Sequence, residues 1–176
     1  MFVLGGLGEG QAYTTSVLKY DGASGIWSEV APMPEGRLNA AACVVDGAVY
    51  VLGGSRSGPR DSVFRYDPSE DAWTTLPPMP DARALHSASV LQGVVYVLGG
   101  SSRGCLASVL RFDPGVGSWS EVAPLLTPRY ALASFVLCDA LYAAGGTDNS
   151  GACLDTVERY DAASNTWSLV ADMQHA

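Results

Sequence analysis

Short apolar runs separated by glycine- and proline-rich turns make up the whole chain, without the three-to-four-residue periodicity of an amphipathic helix. One recurring run is rich in small residues, as in residues 39–45 (NAAACVV). A polar turn then leads into a second run, VYVLGG, whose apolar residues fall at odd and even positions, as in a strand buried on both faces. The third run is SVFRYD or TVERYD, and the fourth opens with tryptophan. This pattern predicts short β-strands in units of four.

The unit repeats four times with fixed landmarks. The four tryptophans, spaced by 46, 46 and 48 residues, are Trp27, Trp73, Trp119 and Trp167. An aromatic residue followed by aspartate stands seven positions before each tryptophan, at Tyr20, Tyr66, Phe112 and Tyr160. The chain's Gly-Gly pairs, one in each unit, are Gly5 and Gly6, Gly53 and Gly54, Gly99 and Gly100, and Gly145 and Gly146. We interpret these positions as structural.

The repeat predicts an all-β fold made of radially stacked sheets. A four-stranded sheet with two apolar faces cannot bury both alone, whereas sheets stacked around an axis bury one another. We expect the small residues to lie near the crowded axis and the large aromatics to fill the wider outer gaps. The predicted blades are a partial blade 1 over residues 1–36, which lacks its inner strand, and full blades over residues 37–82, 83–128 and 129–176.

Together, the Gly-Gly pair, the aromatic-Asp pair and the tryptophan at this period resemble the Kelch repeat. Residues 153–173 (CLDTVERYDAASNTWSLVADM) look most like the Kelch domains of BTB–Kelch proteins, which are substrate adaptors of cullin-RING ubiquitin ligases. The resemblance implies a β-propeller of four-stranded antiparallel blades. It also implies that the loops between strands two and three, and those between blades, line one mouth that binds a peptide or protein.

Kelch propellers usually close with about six blades, roughly 280 residues at this period. The 176 residues supply three full blades and one without its inner strand, so we expect an incomplete propeller. A four-bladed closed ring is the alternative. The unpaired strands and open blade faces of an incomplete propeller predict self-association.

Charge and cysteine usage limit the classes of binding partner and the cellular compartment to be expected. Ten basic and 18 acidic residues give a net charge of −8, without a basic run, which disfavours nucleic acid and anionic membrane surfaces. The N-terminus lacks the basic region of a signal peptide. Four cysteines without a CxxC pair suggest free thiols in a reducing compartment, and we therefore expect a cytoplasmic protein, with the nucleus as an alternative. Cys105 and Cys153 are interpreted as loop thiols.

Three arginines outside the repeat positions, Arg56, Arg60 and Arg103, follow the Gly-Gly pairs of two adjacent blades. If the loop geometry of the family applies, these side chains lie on the binding mouth. Guanidinium groups there suit an acidic or phosphorylated peptide through bidentate hydrogen bonds. The alternative is that they are solvated loop residues.

Four further residues are candidates for partner binding. Tyr13 and Tyr130 either line the mouth or pack against it, and Asn39 and His86 are polar groups near the predicted channel. His86 also has a structural interpretation, because Kelch repeats often have histidine at that position.

The motifs of an enzyme are absent from the sequence. The two histidines, His86 and His175, are unrelated in position, and the sequence contains no G-x-S-x-G, phosphate-loop or H-E-x-x-H motif. We therefore predict neither a metal nor another cofactor, and a protein-interaction module as the function. The alternatives are a Kelch-type enzyme, such as a sugar mutarotase of the sialic-acid type, and an actin-bundling or structural protein.

Overall fold

A computed structural model describes residues 1–174, so the sequence-based interpretation of His175 lies outside the described residues. These residues form fifteen β-strands and one short 3-10 turn, Glu9–Gln11. The strands of the first two sheets are β1 (Phe2–Leu4), β2 (Val17–Asp21), β3 (Ile26–Val30), β4 (Ala41–Val45), β5 (Ala48–Leu52), β6 (Val63–Asp67) and β7 (Ala72–Leu76). The strands of the other two are β8 (Ser87–Leu91), β9 (Val94–Leu98), β10 (Val109–Asp113), β11 (Ser118–Val122), β12 (Ala133–Leu137), β13 (Ala140–Ala144), β14 (Val157–Asp161) and β15 (Thr166–Leu169).

Consecutive strands pair antiparallel to give one three-stranded and three four-stranded sheets. Blade 1 contains β1 to β3, blade 2 β4 to β7, blade 3 β8 to β11, and blade 4 β12 to β15. In each blade the seven-residue spacing places the aromatic of the third strand opposite the tryptophan of the fourth. In the Tyr66–Trp73 pair, the ring centroids are 5.1 Å apart. The predicted all-β blades are therefore confirmed, including the missing inner strand of blade 1.

The inner strands β4, β8 and β12 lie side by side around the axis. Their small side chains permit this approach: the hydroxyl of Ser134 lies 2.7 Å from that of Ser87 and 2.8 Å from that of Ser89. Three apolar clusters fill the gaps between consecutive blades, one for each neighbouring pair. Among the described residues, no such cluster joins blade 4 to blade 1, so the sheets form an open arc of a propeller.

The repeated glycines allow an unusual backbone conformation at the end of each second strand. Gly53 and Gly54 adopt φ angles of 55° and 94°, in the left-handed region that side chains disfavour. A Cβ on Gly53 would lie 2.6 Å from the carbonyl oxygen of Arg83 in the next blade. The repeat therefore marks points where neighbouring blades touch through their backbones.

Tryptophan side chains tie each blade to the one before it. The indole N–H of Trp73 donates to the carbonyl of Ala31 at 2.8 Å, and Trp167 donates to Ala123 at 2.8 Å. Trp27 has no preceding blade in the structure and is 43% exposed, so the prediction that this residue fills a gap between blades is wrong for blade 1. The cause is the open end of the arc.

Two phenylalanines outside the repeat positions behave differently from each other. Phe64 is buried under the guanidinium of Arg37, whose central carbon lies 4.3 Å from the ring centroid. Phe135, although its place inside a strand also favours burial, is 41% exposed and stacks on Tyr142. It lies on blade 4, at the other open end, where no further blade covers it.

Candidate partner-binding mouth

Loops that join the second and third strands of each blade, together with the joins between blades, lie at one end of the strands. We call this surface the mouth; its loops comprise residues 5–16, 53–62, 99–108 and 145–156, and its joins residues 31–40, 77–86 and 123–132. The tight turns, such as the one after β4, lie at the opposite end. All three candidate arginines, Arg56, Arg60 and Arg103, fall on mouth loops.

A buried arginine anchors the mouth loop of each full blade. Arg37 donates to the carbonyls of Gly53 and Ser62 at 2.8 and 3.2 Å and to the Ser62 hydroxyl at 3.0 Å. Arg83 and Arg129 make equivalent bonds in blades 3 and 4. Because these bonds fix both ends of each loop, the mouth loops are held on a rigid base.

Arg56 and Arg60 come together around a carboxylate that the sequence analysis did not single out. Oε1 of Glu35 lies 3.6 Å from Nη1 of Arg56 and 3.3 Å from Nη2 of Arg60, while Oε2 lies 3.3 Å from Nη2 of Arg37. The side chains of Arg56 and Arg60 are 49% and 39% exposed. The only sequence signal for Glu35 was its position two residues before the repeat arginine.

Arg103 lies in a separate part of the mouth. It lines a shallow groove together with Asp81, Ser102, Cys105 and Leu106. Asn149 of the neighbouring loop closes one side, since its side-chain oxygen accepts the backbone N–H of Cys105 at 2.8 Å. The structure thus brings Arg56 and Arg60 into one cluster and leaves Arg103, which is exposed, on the next blade.

Tyr13 lies beside the Glu35 cluster. Its backbone carbonyl is packed so closely against Gly36 that a Cβ on Gly36 would collide with it. The tyrosine side chain is 38% exposed. This contact fixes the join that holds Glu35, while Tyr13 itself remains partly exposed.

Asn39 and Tyr130 lie where the joins approach the axis. The carbonyl of Asn39 accepts the N–H of Leu85 at 3.0 Å, and the carbonyl of Leu85 accepts that of Ala131 at 2.7 Å, so equivalent positions of three blades form a chain of hydrogen bonds. The Asn39 side chain is exposed. Tyr130 is half-buried and exchanges two backbone bonds with Thr147 of its own mouth loop, at 3.0 and 2.9 Å.

His86 does not reach the surface of the mouth. Its side chain is only 7% exposed and lies between the Gly-Gly pairs of blades 2 and 3, against Gly53 and Gly100. Neither ring nitrogen has a hydrogen-bond partner among the described residues. Burial, with a contribution from the nearby charge of Arg83, lowers the pKa of His86 to about 3, so the imidazole is neutral. These observations favour the structural interpretation of His86 over the partner-binding one.

Residues 1–174 contain no group of three or more histidine, cysteine or acidic side chains arranged to hold a metal ion. All four cysteines are free thiols. Within the same range, the structure contains no helix with the length and apolar character needed to cross a bilayer.

Comparison with known proteins identifies relatives of this arrangement. A family model described as the KLHDC2/KLHL20/DRC7 Kelch-repeats domain matches residues 1–176. An alignment of 58 positions, which covers 31% of the chain and 13% of the relative, is 47% identical to Kelch-like protein terF of Aspergillus terreus. A 54-residue segment, 31% of the chain and 9% of the relative, is 41% identical to Kelch-like protein 38 of Homo sapiens.

A solved structure described as that of YjhT has the same fold. It superposes with a TM-score of 0.83 at 22% identity, over 97% of this chain and 62% of that one. The chain therefore spans about three-fifths of the length of YjhT, and its matched segments cover a small part of the Kelch-like relatives. With a family model matching from end to end, the chain belongs to the Kelch-repeat family.

Proposed function

We propose that the chain is a protein-interaction module whose mouth binds an acidic segment of a partner protein. The observation that carries this proposal is the position of Arg56, Arg60 and Arg103 on mouth loops of a chain whose net charge is −8. Seven of the ten bases occupy repeat positions, and these three do not. Partly exposed guanidinium groups at this end of the blades favour an anionic ligand there.

The guanidinium groups suit carboxylate or phosphate ligands. A planar guanidinium can donate two parallel hydrogen bonds to either group, and bonds between charged partners are stronger than neutral ones. Since Arg37 anchors both ends of the single loop that bears Arg56 and Arg60, little ordering entropy is lost on binding. Tyr13 offers an aromatic surface for the apolar part of the same ligand.

The finer proposal is that this module selects substrates for a cullin-RING ubiquitin ligase. It rests on the resemblance to BTB–Kelch proteins and on the Kelch-like relatives. Affinity purification of the gene product from its own cells, with quantification of cullin subunits, tests it. Enrichment of a cullin over a control lacking the tagged protein supports the adaptor role, and no enrichment contradicts it.

The binding proposal is tested with a fluorescein-labelled peptide of glutamates separated by glycines. Fluorescence anisotropy at low ionic strength should show saturable binding, weakened by added salt because exposed charges are screened. The matching glutamine peptide should bind much more weakly. The triple variant R56A/R60A/R103A should lose at least about tenfold in affinity, since each lost charge-assisted hydrogen bond contributes about 1.5–3 kcal/mol.

Arg65→Ala provides the matched control. Arg65 pairs with Asp67 at 3.2 Å and borders the groove formed by the tight turns, at the end of the blades opposite the mouth. The substitution removes one positive charge without altering the mouth, so the affinity for the glutamate peptide should stay close to that of the parent protein. Equal affinity for the glutamate and glutamine peptides, or an unaffected triple variant, would refute the mouth as an acid-binding surface.

A further inference from the structure

Glu35 occupies the centre of the arginine cluster. Three guanidinium groups, those of Arg37, Arg56 and Arg60, lie within 3.6 Å of its two carboxylate oxygens. One negative and three positive charges leave the cluster with a net charge of +2. The Glu35 side chain is 26% exposed, so solvent and a ligand can reach it.

Arg37 does not depend on Glu35 for its position. Its guanidinium is already bound by the carbonyls of Gly53 and Ser62 and lies over the ring of Phe64. Arg83 holds the equivalent place in blade 3 with the same backbone partners, although its acid, Asp81, lies 3.9 Å away and is 59% exposed. The anchoring of the loop therefore works with almost no contribution from an acid.

The distinctive partners of Glu35 are Arg56 and Arg60. The equivalent positions in blade 3 are occupied by Ser102 and Leu106, so the arginine pair belongs to blade 2. Among the described residues, neither arginine side chain satisfies hydrogen-bond geometry with an acceptor, and the buried Nε of Arg60 has no partner. Most of their donors remain available to a ligand.

We propose that Arg56 and Arg60 form a carboxylate-binding site that Glu35 fills from within the chain, and that an acidic side chain of a partner replaces Glu35 on binding. This inference rests on the proposed function of the mouth. Displacing the Glu35 carboxylate costs little free energy, because partly exposed ion pairs are weak. Its side chain can turn toward solvent while the backbone stays fixed by the packing of Gly36. Glu35 thus competes with the partner and sets the affinity of the site.

Glu35→Gln is the direct test, with the glutamate peptide as probe. It removes the competing charge and keeps the shape and hydrogen-bonding capacity of the side chain. Affinity should rise by about two- to fivefold, the equivalent of a weak surface ion pair. The variant R56A/R60A should bind weakly, and adding E35Q to it should restore nothing, because the site that Glu35 occupies has gone.

Asp46→Asn controls for the change in overall charge. It removes the same charge from the tight turn after β4, at the end of the blades opposite the mouth, where asparagine tolerates the φ of 48°. The affinity should therefore change much less than with E35Q. Thermal unfolding of each variant confirms that it is folded.

The possible results separate the two proposals. If R56A/R60A weakens binding but E35Q does not strengthen it, the competition is disproved and the acid-binding mouth stands. An equal gain in D46N and E35Q, or a gain by E35Q without the two arginines, also disproves the competition. If neither the parent nor E35Q binds the glutamate peptide, both proposals fail.

Discussion

Nη2 of Arg129 lies 2.6 Å from Oε1 of Glu158, and neither side chain has exposed surface. The same carboxylate accepts the backbone N–H groups of Leu126 and Thr127 at 2.7 and 3.1 Å. Blade 2 places Glu35 two residues before its repeat arginine, whereas blade 4 has Thr127 at that position. Glu158, from the third strand of the blade, supplies the missing charge from a different direction.

Glu158→Ala should be among the most damaging single substitutions. It leaves the charge of a buried guanidinium without a counter-ion and removes the acceptor of two backbone N–H groups, a loss of about 3–5 kcal/mol in the free energy of unfolding. Urea denaturation measures it. Glu35→Ala is the matched control, because its contacts are partly exposed and should contribute at most about 1 kcal/mol. Similar losses in the two variants would show that Glu158 does not act as a buried ion-pair partner.

Asn165 links blade 4 to blade 3 through one oxygen atom. Oδ1 accepts the hydroxyl of Tyr160 at 2.7 Å and the backbone N–H of Ala123 at 2.9 Å. Blade 3 has no such hydrogen bond to blade 2. Its residue equivalent to Asn165 is Gly117, and the residue equivalent to Ala123 is Pro77, which has no N–H to donate.

Asn165→Gly should therefore cost about 1–2 kcal/mol of stability through two lost hydrogen bonds. The backbone there has φ = 53°, which glycine adopts without strain. Asn165→Ala should cost about 1 kcal/mol more, since alanine adds the left-handed strain. Urea midpoints of the three proteins measure both contributions, and equal stability of the parent and the glycine variant would contradict the role of the link.

His86 should make the protein sensitive to acid. Its folded pKa of about 3 lies below the ordinary value near 6.5, so the unfolded chain binds a proton more readily. The contribution of His86 is therefore fully present above pH 6.5. As the pH falls from 6.5 toward 3, this contribution to the free energy of unfolding should decrease by up to about 1.4 kcal/mol per pH unit.

Carboxylates also titrate in acid, so the comparison is with His86→Leu, which cannot bind a proton. Urea denaturation between pH 7 and pH 4 should show a shallower loss of stability for the variant than for the parent. Parallel pH profiles would mean that the imidazole is solvated or paired in solution.

Thiol reactivity should follow burial. Burial raises the pKa of the Cys43 thiol to about 12, so almost no thiolate forms at neutral pH, whereas Cys138 and Cys153 are exposed. Maleimide followed by peptide mass spectrometry should label the two exposed cysteines in the native protein much faster than the half-buried Cys43. Rapid labelling of Cys43 under native conditions would show that the inner strand of blade 2 opens.

The sequence by itself determined the blades. Three features meet local requirements: Gly53 and Gly54 adopt a positive φ, Tyr66 and Trp73 make a cross-strand contact, and the aspartate after each third-strand aromatic accepts the backbone N–H two residues on in the tight turn. Such requirements recur at each repeat, so spacing alone reveals them. Spacing also placed Arg56, Arg60 and Arg103 in the loops after the Gly-Gly pairs, and the resemblance to the Kelch repeat implied that these loops line the mouth.

Only the tertiary structure decided what neighbouring blades and loops do to each other. The pairing of Glu35 with Arg56 and Arg60, the burial of His86 between two Gly-Gly pairs and the exposure of Trp27 and Phe135 all depend on which side chain of another loop or blade lies opposite. A repeat fixes the position of a residue within its own blade, but it does not specify what faces that residue across the gap. Contacts between distant segments, not local spacing, set the charge and access of the candidate site.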